Sequence, residues 1–93
     1  MNIRYTRRAA RQLDAILDHI EAHSPQGADR VFNRIEAILA LLAEQPRSGR
    51  PTRRLGFRRI VIHPYPYVIL YQPTADEIVI HSVRHAARKP RGW

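Results

Sequence analysis

Arginine carries most of the chemical reach of this chain. Fifteen of its sixteen basic residues are arginine, a planar, always-charged fork suited to bidentate contact with phosphate or carboxylate. The arginines are also segregated. No acid stands between Glu44 and Asp76, while Arg47, Arg50, Arg53, Arg54, Arg58 and Arg59 all fall in that stretch. The last ten residues add Arg84, Arg88, Lys89 and Arg91, and the formal net charge is +8. A field of this sign attracts nucleic acid or an acidic protein. A solvated basic surface is the bland alternative, but the segregation exceeds what solubility requires.

Three histidines in the second half, His63, His81 and His85, could serve as acid–base groups, because imidazole titrates near neutral pH. His81 and His85 are four apart, which on a strand spans roughly 13 Å, too far to share a metal ion. With no cysteine and no ligand-spaced histidine pair, no metal site and no cofactor are expected. Surface or hydrogen-bonded structural roles suit all three histidines better; His85 has the strongest functional claim because it stands where the last strand meets the tail. Tyr65 and Tyr67, on either side of Pro66, either stack a base or cover a hairpin end with their amphipathic rings. Trp93 is open between an anchor for a partner and a frayed terminus.

These groups need elements to hold them. Residues 57–63, 67–71 and 76–85 are rich in Ile, Val and Tyr and are cut by short breaks containing Pro or Asp. The runs have strand length, and the breaks suit antiparallel hairpins and are too short for parallel crossovers. A three-stranded meander is predicted, with Tyr67, Ile69 and Tyr71 on one face and Val68 and Leu70 on the other. Residues 2–5 alternate as a short first strand. Thr6 then caps a helix over 7–23 whose stripe is Leu13, Ile16, Leu17 and Ile20. Arginines in its first turn oppose the helix dipole. Ser24 and Pro25 open a second helix that stops before Pro46, and the turn between them makes the two helices antiparallel neighbours. Residues 46–56, with two Pro, two Gly and four Arg, read as an irregular loop.

Ninety-three residues allow one domain, 1–93, with a thin core: folding hides roughly 60–65 % of the unfolded surface at this size. No apolar run reaches the roughly 18 residues of a membrane span, and the N-terminus lacks the apolar centre of a secretory signal. A cytoplasmic protein is expected.

The order of these parts, together with Gly49-Arg50-Pro51, Leu55 to Arg58, Tyr67 to Tyr71 and Ile80 to Arg88, resembles the ParE/RelE superfamily of bacterial toxins across essentially the whole chain. The Gly-Arg-Pro loop and the His-Ala-Ala-Arg stretch are most similar to the ParE branch. The resemblance implies an α+β fold, β-α-α-β-β-β, in which a helical hairpin packs on a largely antiparallel sheet. It also implies the toxin of a type II toxin–antitoxin pair. ParE-like members stall DNA gyrase on cleaved DNA by binding; RelE-like members instead cut messenger RNA on the ribosome. A small antitoxin holds either kind inactive, in the ParE branch a ParD-like ribbon-helix-helix protein.

RNA cleavage needs a base for the 2′-hydroxyl, an acid for the leaving oxygen and cations for the phosphorane. Alignment on Tyr71-Gln72 puts Val68 where RelE-like members commonly carry an arginine, Ala86 falls near another, and no tyrosine follows Tyr71. The expectation is therefore a gyrase poison without catalytic residues, with a RelE-like endonuclease as the alternative. Arg84, His85, Arg88, Lys89 and Arg91 are expected to meet the target. Arg58 and Arg59, beside apolar area exposed at Val68 and Leu70, are expected to meet an acidic antitoxin segment.

Overall fold

A computed structural model of the chain describes residues 1–87. Strand β1 (Asn2–Tyr5) leads into helices α1 (Arg7–Glu21) and α2 (Pro25–Glu44), followed by strands β2 (Arg50–Pro51), β3 (Arg58–Val61), β4 (Tyr67–Pro73) and β5 (Glu77–His85). The sheet order is β1-β5-β4-β3-β2. The last three strands form the expected antiparallel meander, and β1 joins β5 in parallel. This is the expected α+β arrangement of two helices on a mostly antiparallel sheet.

Helix boundaries follow local chemistry. Thr6 Oγ1 accepts the Ala9 N–H at 3.1 Å, and Ser24 Oγ accepts the Gly27 N–H at 3.0 Å with Pro25 behind it. Such caps contribute about 1 kcal/mol each. Helix α1 ends at Glu21, two residues short of the sequence expectation. The cap of α1 and its second turn also complete the edge of β5. Thr6 N–H donates to the Ile80 carbonyl at 3.0 Å, Thr6 Oγ1 donates to the His81 carbonyl, and Gln12 Oε1 accepts the Val83 N–H at 2.9 Å. The edge that β1 leaves past Ile80 is thus met by Thr6 and by Gln12 of α1 rather than by another strand.

The core lies between the helical hairpin and one sheet face. Ile35, Leu42, Ile62, Ile69, Tyr71, Ile78 and Ile80 have no exposed surface there, and full burial of such side chains contributes about 1.5–3 kcal/mol each. Alternation along β4 is as read from the sequence: Ile69 and Tyr71 face the helices, with Tyr67 packed beside them.

The stretch 46–56 is more ordered than a loop of its composition suggests. Strand β2 pairs Arg50 with Arg59 and Pro51 with Arg58. Tyr71, wholly buried, reaches it from the core: its hydroxyl accepts the Gly49 N–H and donates to the Pro46 carbonyl, both at 2.8 Å. Arg58 Nη1 donates to the carbonyls of Gly49 at 2.7 Å and Arg47 at 3.2 Å. A Cβ at Gly49 would stand 2.6 Å from the Tyr71 hydroxyl and 2.7 Å from the Arg59 carbonyl. Glycine is required there by close approach.

Candidate functional site

The sheet face turned away from the helices carries Arg59 and Arg84. The pairing of β3, β4 and β5 sets Arg59 beside Leu70 and Ser82, and Arg84 beside Val68 and Val61. Arg59 and Arg84 therefore stand two strands and two residues apart, about 12 Å between Cα atoms at ordinary sheet spacings. Val68 and Leu70 lie on this face as expected, but they do not expose apolar area. They are 7 % and 6 % exposed. Both belong to a central strand, so side chains of β3 and β5 crowd them from either side. They form the floor of the face and the arginines its rim.

A β-bulge places one further group on this face. The register steps from Leu70↔Ser82 to Tyr71↔Ile80 and leaves His81 as the extra residue. Its ring packs against Phe57 at 4.7 Å between centroids, and Arg54 stands 4.2 Å over the Phe57 ring. A carbonyl oxygen can only accept, so His81 Nε2 donates to Gln72 Oε1 at 3.1 Å; in the neutral ring the Nδ1 lone pair is then the free one. Burial, then the charges of Arg54 and Arg4, lower the His81 pKa below its ordinary value and favour neutral imidazole. Arg4 itself pairs with Glu77 at 3.0 Å.

At the far end of β5 a second feature opens. A groove of about 670 Å³ runs between α1 and the strand ends. Arg8, Gln12 and His19 line one wall, and Tyr67, Arg84 and His85 the other; no acid lines it among the described residues. Arg8 is one of the first-turn arginines that oppose the helix dipole, and its place here gives it a surface to serve. His85 is fixed: its ring meets Tyr67 edge-on at 5.6 Å, and its Nδ1 accepts the Ala87 N–H at 3.0 Å.

The residues expected to meet a target thus divide. Arg84 and His85 line the groove together, whereas Arg88, Lys89 and Arg91 lie outside the described residues. Those expected to meet a partner divide as well. Arg59 is exposed on the rim, but Arg58 turns to the helix side and holds the 46–49 loop. Sequence reasoning missed the Arg54–Phe57–His81–Gln72 cluster, because only the bulge brings its members together. Among the described residues no group of metal-ligating side chains occurs, and no helix is long and apolar enough to cross a membrane.

Against known proteins, residues 3–90 match the family model of the ParE toxin of the type II toxin–antitoxin system parDE. Y4kP of Sinorhizobium fredii is 44 % identical over 84 residues, 90 % of this chain and 86 % of that protein. Toxin RelE2 of Caulobacter vibrioides is 39 % identical over 84 residues, 90 % of this chain and 93 % of that protein. Among solved structures, a chain of the chromosomal ParDE system from P. aeruginosa superposes with a TM-score of 0.77 at 27 % identity, covering 91 % of this chain and 95 % of that one.

Proposed function

This chain belongs to the ParE toxins of type II toxin–antitoxin systems, and from that premise we propose that it poisons DNA gyrase by binding in the cytoplasm, without chemistry of its own. The observation that carries this reading is the groove at the end of β5, whose lining among the described residues includes Arg8, Arg84, Tyr67 and His85 and no acid. Such a groove holds a polyanion or an acidic protein segment and offers fixed cations for phosphates. Arg88, Lys89 and Arg91 follow directly in sequence and extend the same charge. A toxin of this family implies an antitoxin. We assign it to the ribbon-helix-helix class, with an acidic segment over the outward sheet face beside Arg59.

The test is supercoiling by purified gyrase with the purified chain added. Loss of supercoiling, with linear DNA released after protein digestion, is expected. Unchanged supercoiling would overturn the reading.

One observation favours a second reading, the ribosome-dependent endonuclease. His81, kept neutral with its proton on Nε2, presents an unprotonated Nδ1 on a face that also carries Arg54 and Arg59, and a neutral imidazole beside cations suits proton abstraction from a 2′-hydroxyl. The similarity to RelE2 accords with it. Codon-phased cuts in transcripts after induction, lost in His81→Ala, would establish this reading in place of the first.

A further inference from the structure

The turn joining β2 to β3 carries the most exposed large apolar side chain described. Leu55 is 98 % exposed, against 40–50 % for Met1, Phe32 and Leu41. The turn is tightly bonded. Thr52 N–H donates to the Phe57 carbonyl and Phe57 N–H to the Arg54 carbonyl, both at 3.0 Å, while Thr52 Oγ1 accepts the Arg54 N–H at 3.1 Å. Gly56 adopts φ +84°, and a Cβ there would meet nothing within 4 Å, so glycine serves the backbone conformation and not space. A side chain presented on such a support loses little freedom when it is inserted into something.

Its neighbours indicate what that is. Arg53 and Arg54 precede Leu55, Arg50 stands at the base of the turn, and no acid occurs anywhere from residue 45 to residue 75. Stacking over Phe57 holds the Arg54 guanidinium in place beside the tip. Leucine is under-represented among the anchors of protein interfaces. Apolar wedges set between phosphate-binding side chains are instead how many proteins enter the minor groove and part a base step.

We propose that the tip Arg53–Gly56 is a wedge for duplex DNA, with Leu55 pressed between base pairs and the arginines on the flanking phosphates. The role concerns duplex DNA whatever enzyme holds it, and so stands apart from the gyrase reading.

The experiment uses the full chain and a labelled 20-base-pair duplex carrying 2-aminopurine, whose emission rises when its stacking is broken. Binding is followed by anisotropy across a salt series. The parent protein is expected to raise the emission at least about twofold. Leu55→Ser should bind within about threefold of the parent and lose that rise, because a single apolar wedge supplies unstacking and not charge. Arg53→Ala should keep the rise at saturation and reduce the slope of log affinity against log salt by about one, the signature of one lost phosphate contact. Both side chains are exposed, and circular dichroism checks that both variants fold. No emission rise with the parent, an undiminished rise with Leu55→Ser, or an unchanged slope with Arg53→Ala would each overturn the proposal. So would a Leu55→Ser variant that keeps its effect on the duplex but no longer binds DNA-free gyrase, since the tip would then be a protein contact.

Discussion

A proton added to His81 would join Arg54 and Arg4 in a half-buried setting, with Gln72 already holding Nε2. Its pKa in the folded protein is consequently below the ordinary 6.5, with burial the larger cause and the two arginines the lesser. The unfolded chain then binds the proton more readily than the folded one. This group's share of stability is complete above the ordinary value and is lost as pH falls below it. Urea denaturation is expected to give a lower midpoint at about pH 5 than at about pH 7.5. His81→Gln, which retains an amide partner for Gln72, should reduce that difference; an identical pH dependence in the variant would exclude His81 as its source. The histidine itself was visible in the sequence as an acid–base candidate. Its surroundings were not, because one extra residue in a strand changes which side chains share a face, and nothing in residues 78–82 announces that insertion.

Elements were more legible than their joints. Periodicity and the two caps located both helices, because Thr6 and Ser24 stand directly before apolar stripes. The Ile, Val and Tyr runs located the meander. What composition concealed is that the Gly-Arg-Pro stretch is a strand held from beneath: the paired donors and acceptors of Tyr71, Gly49, Pro46 and Arg58 are far apart in sequence. Burial moves the Tyr71 hydroxyl above the ordinary range, and its bond with Gly49 and the charge of Arg58 only partly offset this. Tyr71→Phe would leave the Gly49 N–H and the Pro46 carbonyl unpaired near the core. Thermal or urea unfolding is expected to reveal a loss of about 1–3 kcal/mol. Gly49→Ala should be at least as damaging, since backbone and a buried ring have to yield; wild-type stability in either variant would contradict the anchoring.

Among the described residues, the basic groups of the proposed contacts mark two places on the sheet, the β2–β3 turn and the groove, with Arg59 between them. The β2–β3 turn adjoins the Tyr71–Pro73 end of β4, and the groove adjoins Tyr67, so about 20 Å of strand separates them. Arg59 stands between, on the outward face. A ligand engaging both ends must be long and negatively charged, which suits a segment of duplex, and a wrapping acidic antitoxin would compete for the same track. Arg58 and Arg59 separate structure from recognition here. Arg59→Glu is expected to weaken the antitoxin complex about tenfold, equivalent to about 1.4 kcal/mol, without moving the unfolding temperature. Arg58→Glu should lower that temperature by releasing the loop. Calorimetric titration against the antitoxin and a thermal melt distinguish the two, and unchanged affinity for Arg59→Glu would remove the antitoxin from that face. A last consequence belongs to Gln12. By satisfying the Val83 amide from the side, it denies that stretch of strand to a second molecule of the same kind. An uncovered ladder of amides invites chain-to-chain stacking and precipitation. One carboxamide withdraws that invitation here.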